Sequence, residues 1–390
     1  MKIAIEAQRI FRKKKHGMDI VTLELIRHLQ ETDHENEYFI LVRRDKDRGV
    51  LSETKNFHIV ELPSVAYPLW EQYYLPRAIR RIKPDILHCT GNTAPLRLPK
   101  GIQLILTLHD ILFIQRMYFS NGTLYQKLGN LYRRWLVPKI VPRCAQIITV
   151  SNFEKSQILT YFQLSPSSVR VVSNAFSRQY YEDLPDDKIL FYKKKYHLPG
   201  RYILFLGNTD PKKNTENVLK AFAIYCKNNK GPVSLVMPDV SAFFLRTLLH
   251  KIKEREIRKF IHLTGYVSNN ELPYLYKKAS LFLYPSYYES FGIPLLEAMA
   301  SGIPVISSFG GAIPEITAGA AFLVNPDNPD EIASAMTEVL SDVQKRDTLK
   351  KRGLIRAAEF NWQDTAIRTL EIYKETIRKH ILKTTKITTS

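Results

Sequence analysis

The sequence predicts an α/β protein made of two doubly wound domains in series. Three observations support this. The chain has 390 residues, more than one ordinary hydrophobic core holds. Short apolar runs alternate with helical patterns, and the alternation stops and restarts after a polar, aromatic bridge at 177–200. The composition, 45% apolar and 24% charged, is that of a folded protein rather than a disordered one.

The first domain opens with the strand KIAIEA, followed by a helix in which Val21, Leu25 and Leu29 recur at every fourth position. Runs of four to six β-branched and aliphatic residues indicate a buried parallel sheet. The later predicted strands of this domain are YFILV, HIVEL, DILHC, LILTLHD and QIITVS.

The second domain repeats the pattern. Its predicted strands are YILFLG, VSLVM, FIHLTG, SLFLYP, PVISS and AAFLV, and its predicted helices are TENVLKAFAIY, a segment around 242–256, PLLEAMASG and DEIASAMTEVLSD. We therefore expect an N-terminal domain at 1–178 and a C-terminal domain at 179–361. A helix at 362–381 should pack across the domain junction, and 382–390 should form a flexible tail.

The cysteine content, the hydrophobicity and the net charge indicate the cellular compartment and the class of partner. The three cysteines are widely spaced and suggest neither a disulfide framework nor a zinc site, so a reducing compartment is expected. The sequence shows neither a signal peptide nor an apolar run of eighteen residues, which predicts a cytoplasmic protein. The net charge of +19 favours nucleic acid, an anionic membrane surface or phosphorylated small molecules, without choosing among them.

Ligands of doubly wound sheets gather in the loops that follow strands. The clearest such loop lies in LFLGNTDPKKNTENVLKAF at 204–222, where Gly207 is followed by Lys212 and Lys213, and Asn214 or Thr215 serves as N-cap. A helix N-terminus with lysines at its mouth suits a phosphate or pyrophosphate. The loop lacks the P-loop pattern, and an ordinary capped helix with solvated lysines is the alternative.

The stretch YESFGIPLLEAMASG carries Glu289 in a loop and Glu297 in a helix that Gly292 and Pro294 allow to start. The carboxylates could be an acid pair, a ligand clamp or helix surface. Eight helical residues span about 12 Å, whereas glycosidase pairs lie roughly 5–9.5 Å apart, which disfavours the acid pair. Carboxylates on either side of a phosphate can instead accept hydrogen bonds from sugar hydroxyls.

Two further positions are candidates. Gly17, in the loop before a helix expected near Asp19, permits close backbone approach or a positive φ. His109 ends a predicted strand and could exchange a proton or bind a polar ligand, or be structural; His88 carries the same ambiguity. No HExxH, Cys/His cluster or GxSxG occurs, which argues against metalloprotease, zinc and α/β-hydrolase chemistry.

These segments resemble the GT-B glycosyltransferases, in particular the retaining enzymes of glycosyltransferase family 4. The loop at 204–222, the segment VSNFEKSQI and the long stretch from GYVSNNELPYLY to SSFGGAIPEI carry the resemblance. It implies two Rossmann-like domains facing a central cleft, retention of anomeric configuration with the leaving phosphate assisting deprotonation, and no metal or other cofactor.

The resemblance also implies site residues. Glu289 would hold the transferred sugar, Lys213 would neutralise the diphosphate, and His109 would lie near the reacting centre; these three are the expected catalytic residues. The expected donor-binding residues are Gly17, Gly207, Asn208, Lys212, Tyr266, Val267, Ser290, Phe291, Gly292, Ile293 and Glu297. Among them, Glu297 would bind the ribose, and Tyr266 and Val267 would flank the base.

The sequence departs from the family at two points. Asn208 stands where many relatives have an arginine that shares the diphosphate with the lysine, and Lys212 is the nearest substitute. The first loop has one glycine, Gly17, where many relatives have two. Both departures weaken the expected hold on the diphosphate.

The expected function is transfer of a hexose, with mannose from GDP-mannose as first choice, to a glycan or lipid-linked glycan in surface polysaccharide assembly. Alternatives are a UDP-glucose- or UDP-N-acetylhexosamine-dependent transferase and a catalytically weak sugar-nucleotide-binding protein. Nucleic-acid binding is not expected, because the basic residues are scattered and no RNP, zinc-finger or KH pattern occurs.

Two stretches, 66–85 and 124–143, mix aromatic with basic residues and suit an interfacial contact with the inner face of an anionic membrane. Core packing of the aromatic residues with solvated arginines is the alternative. Both remain open from sequence.

Overall fold

The computed structural model describes residues 1–115 and 124–388. The chain divides into two compact units, which are described separately. Unit 1 is Met1–Asn174 with Asn361–Ser390, and unit 2 is Ala175–Phe360. The expected boundary after residue 178 lies close to the division after Asn174.

Unit 1 contains a parallel sheet of seven strands in the order β3-β2-β1-β4-β5-β6-β7. The strands are β1 (Lys2–Glu6), β2 (Glu37–Arg43), β3 (Phe57–Leu62), β4 (Ile86–Cys89), β5 (Gln103–Thr107), β6 (Gln146–Thr149) and β7 (Val169–Val171). Every residue of β4 and β6 is buried, so neither strand alternates between buried and exposed positions.

Unit 2 contains a parallel sheet of six strands in the order β10-β9-β8-β11-β12-β13. The strands are β8 (Tyr202–Phe205), β9 (Ser234–Met237), β10 (Ile261–Leu263), β11 (Leu281–Tyr284), β12 (Val305–Ser308) and β13 (Phe322–Val324). The order of both sheets is that of the doubly wound Rossmann fold, so the predicted fold class is confirmed for each unit.

The α-helices are α1 (Gly17–Thr32), α2 (Tyr67–Leu69), α3 (Leu75–Ile82), α4 (Leu112–Gln115), α5 (Leu124–Ile140), α6 (Asn152–Phe162), α7 (Asp186–Lys195), α8 (Thr215–Asn228), α9 (Ala242–Lys251), α10 (Leu272–Lys278), α11 (Ile293–Ala300), α12 (Ile313–Thr317), α13 (Pro329–Ser341), α14 (Val343–Ala357) and α15 (Trp362–Thr388). A π-helical turn, Trp70–Tyr74, joins α2 to α3.

Several boundaries differ from the prediction. The bridge at 177–200 contains α7, the helix expected at 242–256 ends at Lys251, and β7 and α14 were not predicted. The last helix runs to Thr388 rather than to 381, so the expected flexible tail is helical from 382 to 388; residues 389–390 lie outside the described part. Its packing across a domain junction stays a prediction.

Helix α15 belongs to unit 1, although unit 2 separates it from the rest of that unit in sequence. Arg170 of β7 forms an ion pair with Glu375 (Nη1 to Oε2, 2.8 Å), and Thr365 Oγ1 donates to the carbonyl oxygen of Ser173 at 2.8 Å. The buried Tyr373 lies in the unit 1 core with Ile3 and Ile5. These contacts attach the end of the chain to the first unit.

The strand order fixes where ligands can approach. In unit 1, β2 and β3 lie on one side of β1, and β4 and the later strands lie on the other. In unit 2, β9 and β10 lie on one side of β8, and β11 and the later strands lie on the other. Diverging loops leave a crevice at such a switch point, beyond the carboxyl ends of the strands. A ligand-binding site is therefore expected in the loops that follow β1, β4, β8 and β11.

Candidate functional site

The loop after β8 is shaped by close packing. A Cβ on Gly207 would lie 2.3 Å from the ring of Phe205, so any other residue here would require this buried ring to move. The exposed Asn208 accepts a hydrogen bond from the Asp210 backbone N–H at 2.8 Å, which forms a tight turn. Asn214, in the left-handed conformation, is the N-cap of α8, as predicted. The turn places Lys213 directly before the N-terminus of α8.

Lys213 lies at the centre of a buried polar cluster. Its Nζ donates to Glu289 Oε1 at 2.7 Å and to the hydroxyl of Tyr284, and it lies 4.7 Å from the centroid of the Tyr284 ring. Tyr284 ends β11, and Glu289 lies in the loop that follows. The switch point of unit 2 thus brings together the lysine and one of the two predicted carboxylates.

Glu289 is only 8% exposed. Burial alone would raise its pKa, but the charges of Lys213 and Lys212 and hydrogen bonds outweigh burial and hold the pKa below its ordinary value. The carboxylate is therefore ionised at neutral pH, and together with Lys213 it forms a preorganised ion pair. The alternative of solvated lysines does not fit Lys213.

The entry to α11 agrees with the prediction. Gly292 has φ 97°, a conformation that favours glycine, and Pro294 lies in the first turn of the helix. Phe291 is buried edge-on against Phe360, with ring centroids 5.7 Å apart. Ile293 is the first helical residue. This packing fixes the helix N-terminus beside Glu289, where backbone N–H groups favour an anion.

Glu297 is not exposed helix surface. It is half-buried, and its carboxylate accepts hydrogen bonds from the hydroxyl of Tyr276 at 3.1 Å and from Tyr180. Burial raises its pKa to about 7, although the tyrosine hydroxyls oppose this. The carboxyl group can therefore change protonation state near neutral pH.

Sequence reasoning missed the residues that hold these groups in place. Tyr284, Tyr276 and Tyr180 contact the key side chains, and the Ala312 N–H donates to the carbonyl oxygen of Glu289 at 2.8 Å. Of these, Tyr284 could have been found, because it ends a predicted strand. The partners of Glu297 leave no such signal, because Tyr180 is over one hundred positions away in sequence.

The other predicted residues of unit 2 differ in exposure. Lys212 is half-buried, with Nζ 3.9 Å from Asp210 Oδ2. Tyr266 and Val267 follow β10, the edge strand; Tyr266 is 56% exposed and Val267 is buried. Ser290 is half-buried between Glu289 and Phe291.

In unit 1, His109 is buried just beyond β5. Its Nε2 lies 3.0 Å from the carbonyl oxygen of Thr90, which can only accept, so Nε2 carries a proton. Its backbone N–H donates to Asn92 Oδ1 at 2.6 Å. Burial lowers its pKa, opposed by the Thr90 bond and by Asp110, so the imidazole is neutral with Nδ1 as an acceptor.

The structure decides between the alternatives for two residues of unit 1, Gly17 and His88. Gly17 does not adopt a positive φ. It is the first residue of α1, two residues earlier than predicted. No atom lies within 4 Å of a Cβ placed there, so the space that a close approach to the backbone requires is present. His88 is structural, because its Nδ1 lies 2.6 Å from the hydroxyl of Tyr373 and its Nε2 2.7 Å from Thr107 Oγ1. Burial lowers its pKa to about 3.

Two family models match the chain, one in each unit. The family model described as Glycosyltransferase Family 4 matches residues 16–179, and the model described as Glycosyl transferases group 1 matches residues 188–356. The two matches cover most of both units.

Curated relatives match over most of their length. The chain is 30% identical over 299 residues to O-antigen chain mannosyltransferase B of Escherichia coli, which covers 76% of each protein. It is 29% identical over 314 residues to MMP alpha-(1->4)-mannosyltransferase of Mycolicibacterium hassiacum, covering 77% of this chain and 72% of the relative.

Solved structures share the fold at low sequence identity. Sucrose-phosphate synthase from Thermosynechococcus elongatus superposes with a TM-score of 0.73 at 19% identity, over 97% of this chain and 99% of that one. Anabaena HepE, solved with UDP and glucose, superposes with a TM-score of 0.72 at 17% identity, over 96% and 100%.

Proposed function

Since this chain belongs to glycosyltransferase family 4, we propose that it is a retaining enzyme that moves a hexose from a nucleotide diphosphate sugar to a glycan or lipid-linked glycan in surface polysaccharide assembly. Glycosyltransferase activity follows from the family. The donor, the acceptor and the stereochemical course are the proposed part.

The ion pair of Lys213 and Glu289 carries this proposal. A half-buried cation held at 2.7 Å from a buried carboxylate, beside the N-terminus of α11, is positioned to stabilise the charge that develops on a departing diphosphate. A buried carboxylate next to it can accept hydrogen bonds from the hydroxyl groups of the transferred sugar. A diphosphate and a sugar are the two parts of a nucleotide sugar between which the transferred bond is broken.

The remaining roles follow the same chemistry. Glu297 accepts hydrogen bonds from the ribose hydroxyls, and the backbone around Phe291 and Gly292 contacts the sugar. His109, neutral and with Nδ1 as an acceptor, hydrogen-bonds the transferred sugar. Lys213 supplies the charge at the diphosphate, with Lys212 beside it, so the reaction needs no metal ion. The leaving phosphate assists deprotonation of the acceptor hydroxyl.

Mannose from GDP-mannose is the favoured donor, because the named curated relatives are mannosyltransferases. UDP-glucose is the alternative, since a structure of the same fold was solved with UDP and glucose.

A screen of radiolabelled GDP-mannose, UDP-glucose and UDP-N-acetylglucosamine, with EDTA present, tests the proposal. We expect slow donor hydrolysis without acceptor and transfer with a glycan extract. Loss of all activity in EDTA would refute metal independence, and failure of every donor to bind or turn over would refute the proposal.

A sugar-nucleotide-binding protein with weak catalysis is the second candidate, and Asn208 favours it. Its side chain is exposed and forms a turn with Asp210, so it places no cation at the diphosphate. Such a protein would bind donor without transfer.

The pH dependence of donor binding should follow Glu297. Burial raises its pKa to about 7, and only the ionised carboxylate accepts hydrogen bonds with both oxygens. Affinity for the nucleotide sugar should therefore fall about tenfold from pH 8 to pH 6, measured by titration calorimetry. Glu297→Gln should bind more weakly and lose this dependence. An unchanged pH profile in that variant would contradict the assignment.

We also propose that unit 1 associates with an anionic membrane surface. Leu128, Leu131 and Trp135 lie on one face of α5 at helical spacing and are 49–60% exposed. The described part of the chain has no helix that is long and apolar enough to cross a bilayer. An exposed apolar stripe with basic neighbours is suited to the surface of anionic lipids instead.

The charge around this stripe supports an anionic partner. Lys139 lies 3.9 Å from the centroid of the Trp135 ring. The stretch 66–85 packs beside α5, because Gln72 Nε2 donates to the hydroxyl of Tyr132 at 2.8 Å, and it adds the exposed Arg77 and Arg80. Trp70 of the same stretch is fully buried, so for this residue the alternative of core packing holds.

Replacing Leu131 and Trp135 with Ser should reduce sedimentation with vesicles of phosphatidylglycerol and phosphatidylcholine by about tenfold or more, because two large apolar side chains are lost from the contact. Phe243→Ser, at a 74% exposed position of unit 2, is the matched control and should not change it. Equal sedimentation of the double variant and the control at low salt would contradict the proposal.

A further inference from the structure

A groove at the amino-terminal end of the unit 2 sheet lies away from the Lys213 cluster. It has a volume of about 390 Å³, and its walls are α7, the end of α10 and the segment that leads into β8. Tyr202, the first residue of β8, lines the groove, whereas the loop that carries Lys213 follows the last residue of that strand. The groove and the candidate donor site are therefore at opposite ends of the same sheet.

Helix α7 forms one wall of this groove, and its inner side packs against α10 and the residue before α10. The ring centroids of Tyr192 and Tyr274 are 4.2 Å apart, and the hydroxyl of Tyr196 donates to Glu271 at 2.6 Å. Lys195 forms an ion pair with the same glutamate. These contacts hold α7 on unit 2 and determine which side of the helix points outward.

The outward side of α7 is exposed and carries both signs of charge. Its residues recur at the three- and four-residue spacing of one helix face, and we call them the α7 face: Asp186, Asp187, Leu190, Lys193 and Lys194. Within the described part of the chain, no ion pair involves its four charged side chains. The face is acidic at one end, apolar at its centre and basic at the other end.

The charges of this face suit a single helix, but its apolar centre does not. Acidic residues in the first turn and lysines in the last turn complement the helix dipole. Leu190 and Phe191, however, are 51% and 60% exposed in the middle of the helix. The adjoining groove is lined by further apolar side chains, among them Ile189, Leu198 and Pro199. Exposed apolar residues beside an apolar groove are typical of a docking surface.

We propose that the α7 face binds the α7 face of a second copy of this chain, with the two helices antiparallel. A two-fold axis then passes near Leu190, the midpoint of the face. Asp186 of one copy meets Lys194 of the other, and Asp187 meets Lys193, because both pairs are evenly spaced about residue 190. Each copy makes the same contacts, so pairs of opposite charge surround the two leucines on both sides.

The mixed charge of the face favours a second copy over other occupants. Lys193, Lys194 and Lys278 of the groove wall would attract an anionic membrane surface or an acidic peptide, but Asp186 and Asp187 on the same face would repel it. Two-fold pairing instead places each charge of the α7 face opposite a charge of the other sign. The face is therefore complementary to itself.

The size of the contact indicates a reversible dimer. Helix α7 has ten residues and is about 15 Å long, so the surface buried by one such helix from each copy is small compared with that of an obligate dimer. Within unit 2, pairing at the amino-terminal end of the sheet leaves the Lys213 cluster at the other end uncovered. Dimerisation of this kind is independent of the transferase function.

Charge reversal with a mixed rescue tests the proposal. One variant carries Asp186→Lys and Asp187→Lys, and the other carries Lys193→Glu and Lys194→Glu. In each variant alone, like charges face one another, so the dissociation constant of the dimer should rise about tenfold or more, measured by sedimentation velocity of the full chain over a concentration series. In an equal mixture of the two variants every facing pair is again of opposite sign, and the dimer should return.

Two further variants complete the design. Leu190→Asp places like charges at the two-fold axis and leaves the ends of α7 unchanged, so it should also remain monomeric where the wild type dimerises. The control carries Lys230→Glu and Lys351→Glu, two exposed positions elsewhere in unit 2, which change the net charge as much as the second reversed variant does. It should dimerise like the wild type. Thermal unfolding shows whether each variant is folded.

Each contrary outcome is distinct. A wild type that stays monomeric throughout the series would overturn the proposal, as would dimers of folded Leu190→Asp or a mixture of folded reversed variants that stays monomeric. If the wild type is monomeric and its sedimentation with anionic vesicles requires Lys193 and Lys194, the face binds lipid and not a second copy. Donor turnover is measured on the same samples, and its absence would refute the transferase proposal without affecting the dimer.

Discussion

Replacing Lys213 with Ala should lower kcat for sugar transfer by about 10²–10³-fold, the usual cost of removing one preorganised group that stabilises charge in a transition state. Nζ of Lys213 is held by Glu289 and Tyr284 before the donor binds, so no reorganisation is needed during the reaction. Without it, the leaving diphosphate loses the half-buried cation that is proposed to stabilise it.

Lys220→Ala is the matched control. Lys220 lies on α8, the helix that follows the loop, and forms a surface ion pair with Glu216 (3.0 Å) that contributes little. Steady-state rates with the best donor, together with thermal unfolding of both variants, separate catalysis from folding. A Lys213→Ala enzyme within about threefold of the wild-type rate would exclude Lys213 from leaving-group stabilisation.

The fold could be predicted because its signal is local. Buried parallel strands such as β8 and β11 are continuous apolar runs, and apolar residues on helix faces recur at fixed spacing, as in α1. Strand β7 was not predicted because its three residues, one of them Arg170, are too few to form a recognisable apolar run. Helix α14 is highly charged, with few buried positions, which leaves only a faint apolar stripe.

The site could be predicted in outline because its residues follow strand ends. The direct bond between Lys213 and Glu289 could not, because 76 positions separate them and only the neighbouring β8 and β11 bring their loops together. From sequence, Lys213 is expected to bind the diphosphate and Glu289 the sugar. The structure shows that the two side chains also bind each other. The same reason hid the tyrosines that contact Glu297, because Tyr180 and Tyr276 lie far from it in sequence.

Replacing Glu289 with Ala should strongly reduce sugar transfer while leaving nucleotide binding intact. The carboxylate is proposed to hold the sugar, so its loss should lower kcat by roughly 10²-fold or more through misplacement of the reacting carbon. The loss also frees Lys213 from its counter-charge, so affinity for the free nucleotide diphosphate should stay the same or rise. Rates and calorimetric titration of the same preparation measure both.

Glu216→Gln, which removes a carboxylate from the surface of α8, is the control and should match the wild type. If Glu289→Ala transfers sugar as fast as the control, the carboxylate does not act on the transferred sugar. If the wild type itself binds donor without transfer, the chain is the weakly catalytic binding protein that Asn208 favours.

The double variant Lys213→Ala, Glu289→Ala shows whether the pair acts as one unit. In Lys213→Ala alone, Glu289 is left buried without its nearest cation, so its pKa should rise and it becomes a poorer acceptor for the sugar. The second substitution then removes a group already impaired, and the double variant should lose less activity than the two single losses combined. Contacting residues typically couple by about 0.5–3 kcal/mol. Strict additivity of the two losses would mean that the lysine and the carboxylate act on the donor independently, despite their direct hydrogen bond.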